Sequence, residues 1–362
     1  MLVFGSNMKT SDFKFFSTLF IVVALILSVS VYNYYTSGVS KDSTKKEIII
    51  KSGETYYSII PMLKKNNLIK SEAFFKLYVK INKHNDLKSG TYFLSEDMSF
   101  KKILEVFEKG PISEGFINIT FKEGINIRKI ANIIEEKTNN TADEVFELLK
   151  NKKYIDGLIE KYWFLTSEIS NKDIYYPLEG YLFPDTYQFL NKDVTIEKIF
   201  EKMLDNTDEK LSIYKDDILK EKTTVHEILT LASIIELEAN TYYDRTGVSS
   251  VFYNRMNNNI YLGSDVTTYY AFKIDDWSKG LTSKELSTCN SYNTRANCFL
   301  GLPVGPISNP SIESIKAALY PDITEYYYFV ADCSGKTHFA KTITEHEIIV
   351  ASLKKQNKWC DN

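Results

Sequence analysis

The chain has 362 residues, a formal net charge of −3, 25 tyrosines and 22 phenylalanines. That length allows two or three folded units, each with a hydrophobic core of its own. The nearly balanced charge and the scattered basic residues exclude an extended nucleic-acid-binding face.

An uncharged apolar segment covers residues 15–35 and ends in a cluster of tyrosines. About 20 helical residues are enough to cross the hydrocarbon core of a membrane, and tyrosines suit its interface. We therefore predict a transmembrane helix over 15–35, after an N-terminal segment 1–14 and before a polar linker 36–46. A cleaved signal peptide is the alternative, but the run is long and no clear cleavage site follows it. Lysines lie on both sides of the segment, so they do not decide its orientation.

One pattern of residues appears twice after the linker. A β-rich run ends in Lys-x-Gly at Gly53 and again at Gly124, and apolar residues follow six and ten positions later. A second capped helix opens seventeen or eighteen positions after each glycine, so each copy predicts a strand followed by two helices. We assign the first copy, with a further strand at 90–94, to a module over residues 47–115. The second copy and its connection occupy residues 116–175.

Residues 176–358 are denser in turn signals. Two prolines bracket the aromatic segment 176–187, three prolines stiffen the loop 300–310, and a strand-like run follows at 326–330. Helices mixed with scattered short strands, without strand–helix–strand alternation, are typical of an α+β fold. We therefore predict an α+β fold for this last domain.

The segment 224–239 predicts one helix, which opens at a capping box formed by Thr224 and Glu227. At about 100° per residue, one side of this helix is apolar; its members are Val225, Ile228, Leu229, Leu231, Ala232 and Ile235. Glu236 falls on the same side. A carboxyl among apolar neighbours resists ionisation and can keep a proton near neutral pH, which a general acid requires. A structural glutamate paired with an arginine is the alternative.

Two polar loops follow this helix and carry candidate binding groups. One offers Asp265 and Thr267, and the other offers Tyr292, Asn293 and Thr294. Loops on a rigid scaffold concentrate binding groups, so we predict that these five residues bind substrate. Each of them also suits an ordinary turn.

Several common catalytic patterns are missing from the sequence. It has no glycine-rich phosphate loop, no Gly-x-Ser-x-Gly elbow and no Cys-x-x-Cys pair, and its four histidines are dispersed. We therefore expect no metal and no organic cofactor. A single buried acid among hydroxyls, amides and aromatic rings fits glycoside cleavage better than acyl or phosphoryl transfer.

The chain has four cysteines, Cys289, Cys298, Cys333 and Cys360. The sequence is compatible with both disulfides and free thiols, and Cys289 with Cys298 is the attractive local pair.

Several short strings follow one another in order along the chain. They include Glu179-Gly-Tyr-Leu-Phe-Pro-Asp-Thr-Tyr187, Ala232-Ser-Ile-Ile-Glu236, Val251-Phe-Tyr-Asn-Arg255, Tyr292-Asn-Thr294 and Gly301-Leu-Pro303. Together they resemble the endolytic murein transglycosylases of the MltG/YceG-like family over roughly residues 47–355. Ser291 and Arg295 stand where the family usually has a proline and an aromatic residue, so we expect a different shape for that loop.

The resemblance implies a single-pass protein of the inner (plasma) membrane, with its N-terminus in the cytoplasm and its catalytic part outside. It implies a LysM-like module before the catalytic domain, and Glu236 as the catalytic glutamate. Glu179, Asp265, Asn293 and Thr294 are the implied helpers at the substrate. The implied reaction cleaves the MurNAc–GlcNAc bond of nascent glycan strands and leaves a 1,6-anhydro-MurNAc end, during wall assembly and strand termination. The implied partners are peptidoglycan glycan strands, the membrane and peptidoglycan synthases (penicillin-binding proteins), with no nucleic acid.

A noncatalytic, membrane-anchored glycan-binding or scaffold protein is the alternative from a different class. The duplicated module could bind wall polymer while the C-terminal half recruits partners. Glu236, on the apolar side of its predicted helix, favours an enzyme over this noncatalytic alternative. A pyridoxal-phosphate lyase is a third interpretation, but it requires a Schiff-base lysine and a phosphate cup, and the sequence shows no convincing lysine motif.

Overall fold

A computed structural model describes residues 10–82, 87–111, 116–220, 223–239 and 241–359. The chain forms two compact units, Met1–Gly115 and Phe116–Asn362. In the described residues the strands form three two-stranded sheets, all antiparallel, among many helices. The predicted mixed α+β class is therefore confirmed.

The described residues of the first unit form one long helix, two paired strands and three shorter helices. Its elements are α1 (Thr10–Thr36), β1 (Lys46–Ile50), α2 (Ile60–Lys65), α3 (Glu72–Asn82), β2 (Gly90–Leu94) and α4 (Phe100–Lys109). Strand β1 pairs with β2, from Lys46 opposite Leu94 to Ile50 opposite Gly90. The predicted strand, two helices and returning strand are all present, and whether they make a LysM-like module stays a prediction.

Helix α1 contains the predicted membrane segment. Its part Ser17–Thr36 has a mean hydropathy of 1.8, and none of it is buried inside the protein. Phe20, for example, is 74% exposed. Apolar side chains gain free energy by leaving water, so such a helix suits a membrane anchor or a signal sequence.

The second unit carries all the predicted site residues. Its elements are β3 (Ile117–Thr120), α5 (Ile127–Lys137), α6 (Ala142–Lys150), α7 (Lys152–Lys161), β4 (Thr186–Phe189), α8 (Ile196–Ser212), α9 (Lys215–Lys220), α10 (Val225–Glu238), α11 (Tyr242–Asn257), α12 (Asp265–Ala271), α13 (Ser283–Ser287), α14 (Ile312–Leu319), β5 (Tyr328–Ala331), β6 (Thr337–Ala340) and α15 (Ile343–Lys355). Short 3₁₀ turns occupy Ser167–Ser170 and Trp277–Lys279. Strand β3 pairs with β4, and β5 pairs with β6.

Local capping signals fix where the helices of the site begin. Helix α10 starts after Thr224, whose hydroxyl accepts from the Glu227 amide while the Glu227 side chain accepts from the Thr224 amide. Helix α14 starts after Ser311, whose side chain accepts from the Ser314 amide. Both caps satisfy amides that have no partner inside their helix. The predicted capping box is thus confirmed.

Helix α10 crosses the centre of the second unit and packs against α11, α12 and α14. All six residues of its predicted apolar side are buried. His226, Thr230 and Ser233 are buried as well, so the helix is covered nearly all round and not along one stripe. Thr230 and Ser233 donate their hydroxyl protons to backbone carbonyls of the same helix, which satisfies these buried groups.

Candidate active site

Glu236 lies in the last turn of α10, and its side chain is only 6% exposed. Its Oε1 accepts from Nη2 of Arg245 on α11 at 3.0 Å. Its Oε2 accepts from the amide and the hydroxyl of Ser311, at 2.9 and 2.5 Å. The predicted apolar niche is therefore wrong, because the long-range packing of α11 and α14 brings three polar donors to this carboxyl.

The loop after β3 passes over the same end of α10. Gly124 in this loop has φ +74°, and a Cβ there would lie 3.5 Å from Cγ of Glu236. Next to it, Glu123 is exposed. Partial burial, followed by the negative charges of Glu236 and Glu313, raises the pKa of Glu123, while Arg245 opposes the shift. Three carboxyl groups and one arginine thus share this edge of the unit.

Glu179, a predicted substrate-binding residue, lies in the core and is 1% exposed. Its two carboxyl oxygens accept from the amide of Ile127, from the hydroxyl of Tyr270 and from the side-chain amide of Asn309. Burial raises the pKa of Glu179 to about 7, although these donors favour the charged form. The Glu179 carboxyl links α5, α12 and Asn309, and almost none of its surface is accessible to a ligand. Direct substrate contact by Glu179 is therefore not supported.

Glu238, two residues beyond Glu236, was not predicted as a site residue. Its Oε1 accepts from the hydroxyl of Ser264 at 2.5 Å. Burial raises the pKa of Glu238 to about 7, with a smaller upward contribution from Asp265 and opposing ones from Arg295 and Arg255. The sequence pattern predicted a raised carboxyl pKa for Glu236 and did not point to Glu238.

The other predicted binding groups are mostly buried in one network. Thr267 and Thr294 share a hydroxyl–hydroxyl hydrogen bond of 2.9 Å, and Thr294 Oγ1 also accepts from the Ser264 amide. Asn293 accepts from the Thr268 hydroxyl at 2.7 Å. Thr267, Asn293 and Thr294 are at most 2% exposed. These groups satisfy one another and hold α12 to the 292–295 loop, so direct substrate contact is not supported for them. The predicted loop position of Asp265 and Thr267 is wrong, because both lie in helix α12.

Tyr292 is also fully buried, in an aromatic cluster. Its ring centroid lies 4.7 Å from that of Tyr175 and 4.8 Å from that of Tyr270. Its hydroxyl accepts from the Tyr175 amide at 3.3 Å. Tyr292 therefore supports the loop from inside, and its predicted contact with a substrate is not supported either.

Asp265 is the exposed member of the predicted binding set, with 57% of its side chain accessible. It pairs with Arg295, whose Nε lies 3.1 Å from Asp265 Oδ1. Arg295 also donates to the carbonyl of Gly263 at 3.1 Å. Arg255, Gly263 and Arg295 line a cleft of about 470 Å³. The cleft therefore presents two arginines, one of which is paired with Asp265.

A disulfide joins Cys289 to Cys298 and closes the loop that contains Tyr292. Its Cα atoms lie 5.8 Å apart, within the usual range for a disulfide. Cys333 is disulfide-bonded too, and Cys360 lies outside the described residues. The local pairing that the sequence left open is thus present.

Sequence reasoning missed several residues around Glu236 or passed over their role. Arg245 and Ser311 reach it from other helices, so no spacing along α10 could reveal them. Glu123 is the middle residue of the second Lys-x-Gly string, Lys122-Glu123-Gly124. A charged, exposed loop residue beside a glycine of unusual conformation is a hint of function.

The fold and the site together define a mixed α+β protein with carboxyl groups and an arginine gathered at one helix end. The YceG-like family matches residues 48–352, so the chain belongs to that family. The resemblance inferred from the sequence is confirmed.

Proteins of known name and structure are similar along most of the chain. An endolytic murein transglycosylase of Bacillus subtilis (strain 168) is 38% identical over 310 residues, which cover 85% of this chain and 85% of that protein. One of Streptococcus pneumoniae (strain R6) is 30% identical over 370 residues, covering 94% of this chain and 65% of that relative. The crystal structure of a yceG-like protein from Listeria monocytogenes has a TM-score of 0.61 and 34% identity, over 84% of this chain and all of that one. The Bacillus and Streptococcus relatives are both named endolytic murein transglycosylase.

Proposed function

We propose that this protein is an endolytic lytic transglycosylase of peptidoglycan. It cleaves the MurNAc–GlcNAc bond within nascent glycan strands and acts in wall assembly and strand termination. The similarity to proteins named endolytic murein transglycosylases supports this substrate and reaction class. The observation that carries the proposal is the setting of Glu236, a nearly buried carboxyl that meets an arginine, a serine and an exposed loop at one edge.

Glu236 serves as the acid and then as the base. In its protonated form it donates to the glycosidic oxygen while the bond between that oxygen and C1 of MurNAc breaks. The sugar's own acetamido group shares the positive charge that develops at C1. The Glu236 carboxylate then takes the proton of the C6 hydroxyl, and that oxygen bonds to C1. The products are a new GlcNAc hydroxyl end and a 1,6-anhydro-MurNAc end, and no water is consumed.

Arg245 and Ser311 position this carboxyl. Arg245 donates to Oε1, and the amide and the hydroxyl of Ser311 donate to Oε2, so both oxygens are held in place at the end of α10. A fixed carboxyl suits proton transfer to and from one position on the glycan.

The buried polar network is assigned to positioning. Thr267, Asn293 and Thr294 join α12 to the 292–295 loop, and this loop lies within the disulfide-closed segment. Such a support holds the exposed Asp265 in place beside the cleft. Asp265 and Arg295 are the groups of this region that we assign to contact with the glycan.

We assign α1 to a single membrane crossing, with both units outside the cytoplasm. Its length and exposed apolar surface support an anchor. The strand–helix–helix–strand order of the first unit supports a LysM-like, wall-binding module. A protein placed in this way would meet nascent strands beside the peptidoglycan synthases, which are its expected partners.

Digestion of purified peptidoglycan sacculi tests the enzymatic function. The wild-type protein should release soluble glycan fragments, and Glu236→Gln, which keeps the shape but has no transferable proton, should still sediment with sacculi and release almost none. Unchanged tryptophan fluorescence would show that the variant is folded. Sedimentation of the wild-type protein with sacculi without any release would favour the noncatalytic wall-binding alternative.

A further inference from the structure

Two arginine side chains converge at the cleft beside α12. Arg255 comes from α11 and Arg295 from the disulfide-closed loop, and both line this arginine cleft. At its wall, Gly263 has φ +64°, and a Cβ there would lie 3.3 Å from Nη1 of Arg255 and 4.0 Å from Nη1 of Arg295. Both guanidinium groups therefore lie within 4 Å of one point, which the glycine leaves free of a side chain of its own.

Backbone carbonyls fix the two guanidinium groups in place. Nε of Arg255 donates to the carbonyl of Tyr327 at 2.6 Å, and its Nη1 donates to that of Leu262 at 2.9 Å. Nη1 of Arg295 donates to the carbonyl of Gly263 at 3.1 Å. Among the described residues, neither arginine donates from Nη2 to the protein. An arginine held in this way loses little conformational entropy when it binds a planar anion.

The arginine cleft carries an excess of positive charge. Asp265 pairs with Arg295, whereas Arg255 donates only to neutral carbonyls among the described residues. Burial lowers the pKa of Arg255, and the charge of Arg295 acts in the same direction, as one positive group does on another. Glu238 acts against this, but burial raises its own pKa to about 7, so it offsets the positive charge only in part. An anion in the cleft would therefore be attracted by both arginines.

The arginine cleft adjoins the helix end that carries Glu236. Glu238, two residues further along α10, accepts from the hydroxyl of Ser264, which follows Gly263 in the chain. Two residues of a helix rise about 3 Å but turn by about 200°, so Glu236 and Glu238 leave α10 on different sides. The cleft therefore suits a group that branches from the glycan near the cleaved bond, and not the sugar ring at that bond.

We propose that the arginine cleft binds a carboxylate of the peptide stem that branches from MurNAc. This proposal rests on the function proposed above and names the part of the substrate that Arg255 and Arg295 recognise. In a peptide-bearing strand the lactyl carboxyl of MurNAc is used in the amide bond to the stem, so the free carboxylates belong to the peptide. A guanidinium group matches such a planar carboxylate with paired N–H donors. The protein thus prefers strands that carry charged stems.

The affinity of soluble glycan strands for the full-length protein in detergent tests this preference. Glu236→Gln serves as the parent protein, so that the strands are not cleaved during the measurement. It should bind strands with free stem carboxylates about tenfold more tightly than the same strands after amidation of those carboxylates. The ratio of the two dissociation constants is the readout, because a lost sugar contact weakens both kinds of strand equally.

Two substitutions added to this parent should move the ratio in opposite directions. Arg295→Gln removes one guanidinium group and should bring the ratio close to one. Asp265→Asn frees Arg295 from its carboxylate partner and should raise the ratio. Lys198→Gln removes an exposed positive charge from α8, away from the cleft lining, and is the matched control that should keep the parent's ratio.

The outcomes separate this preference from the proposed function. A ratio near one in the parent would overturn the proposal, and so would a ratio that neither Arg295→Gln nor Asp265→Asn changes. Strands stripped of their peptides carry lactyl carboxylates instead, and equally tight binding of these strands would assign the cleft to MurNAc itself and overturn the stem as its ligand. Failure of the wild-type protein to release fragments from sacculi would remove the proposed function, while the ratio would still decide what the cleft binds.

Discussion

Glu179→Gln should remove a pH dependence from the stability of the second unit. Glu179 is fully buried, and its pKa rises from 4.5 to about 7 because of that burial. Between these two pKa values, Glu179 binds more protons in the folded state than in the unfolded state. Its contribution to the unfolding free energy is therefore complete below about pH 4.5 and is lost as the pH rises to about 7. A difference of this size corresponds to about 3 kcal/mol of unfolding free energy.

The glutamine variant should be free of this loss. Its oxygen can accept from the amides of Ile127 and Asn309, and its amide can donate to the Tyr270 hydroxyl, so no buried group is left without a partner. The variant should therefore match the wild type most closely below about pH 4.5, where Glu179 carries its proton. Above pH 7 it should be more stable than the wild type, by up to about 3 kcal/mol.

Urea unfolding followed by tryptophan fluorescence measures this difference. All three tryptophans, Trp163, Trp277 and Trp359, belong to the second unit, so the signal reports on the unit that contains Glu179. The unfolding free energies of the two proteins should be compared from pH 4.5 to pH 8. Parallel curves for the wild type and the variant would refute the reasoning, because the pH-dependent part would then come from other groups.

Three further changes test separate features of the site. Gly124→Ala forces a side chain into a left-handed conformation at a cost of about 1 kcal/mol and crowds Glu236, so both the unfolding free energy and the rate of sacculus digestion should fall; wild-type values for both would contradict the close approach. Replacing Cys289 and Cys298 together by serine opens a short loop and should lower the unfolding free energy by about 2–3 kcal/mol in urea; no change would show that the bond does not constrain the unfolded chain. Arg245→Gln removes the ion pair that holds the Glu236 carboxyl in place, so the rate of sacculus digestion should fall about tenfold or more; a wild-type rate would contradict a positioning role for Arg245.

Local chemistry made much of the fold predictable. The capping box of Thr224 and Glu227 begins helix α10 where the sequence placed it. The returning strand β2 lies at the predicted residues as well. These signals lie within a few residues of the structure that they specify, so a single sequence is enough to read them.

The surroundings of Glu236 were not predictable in the same way. Its apolar neighbours in α10 were identified correctly, but Arg245 and Ser311 approach from other helices and decide the polarity of the site. Thr267 and Asn293 show the same limit, since the hydroxyl and amide groups that could bind a sugar are satisfied by one another in the core. Pairing between distant segments determines whether a polar side chain faces a ligand or supports a loop.

The central claim is that Glu236 drives cleavage without water, and the mass of the released glycan ends tests it most directly. Sacculi treated with the wild-type protein should yield fragments ending in 1,6-anhydro-MurNAc, one water lighter than reducing ends, and Glu236→Gln should yield none above background. Reducing ends from the wild-type protein, or anhydro ends formed at an undiminished rate by Glu236→Gln, would contradict the account.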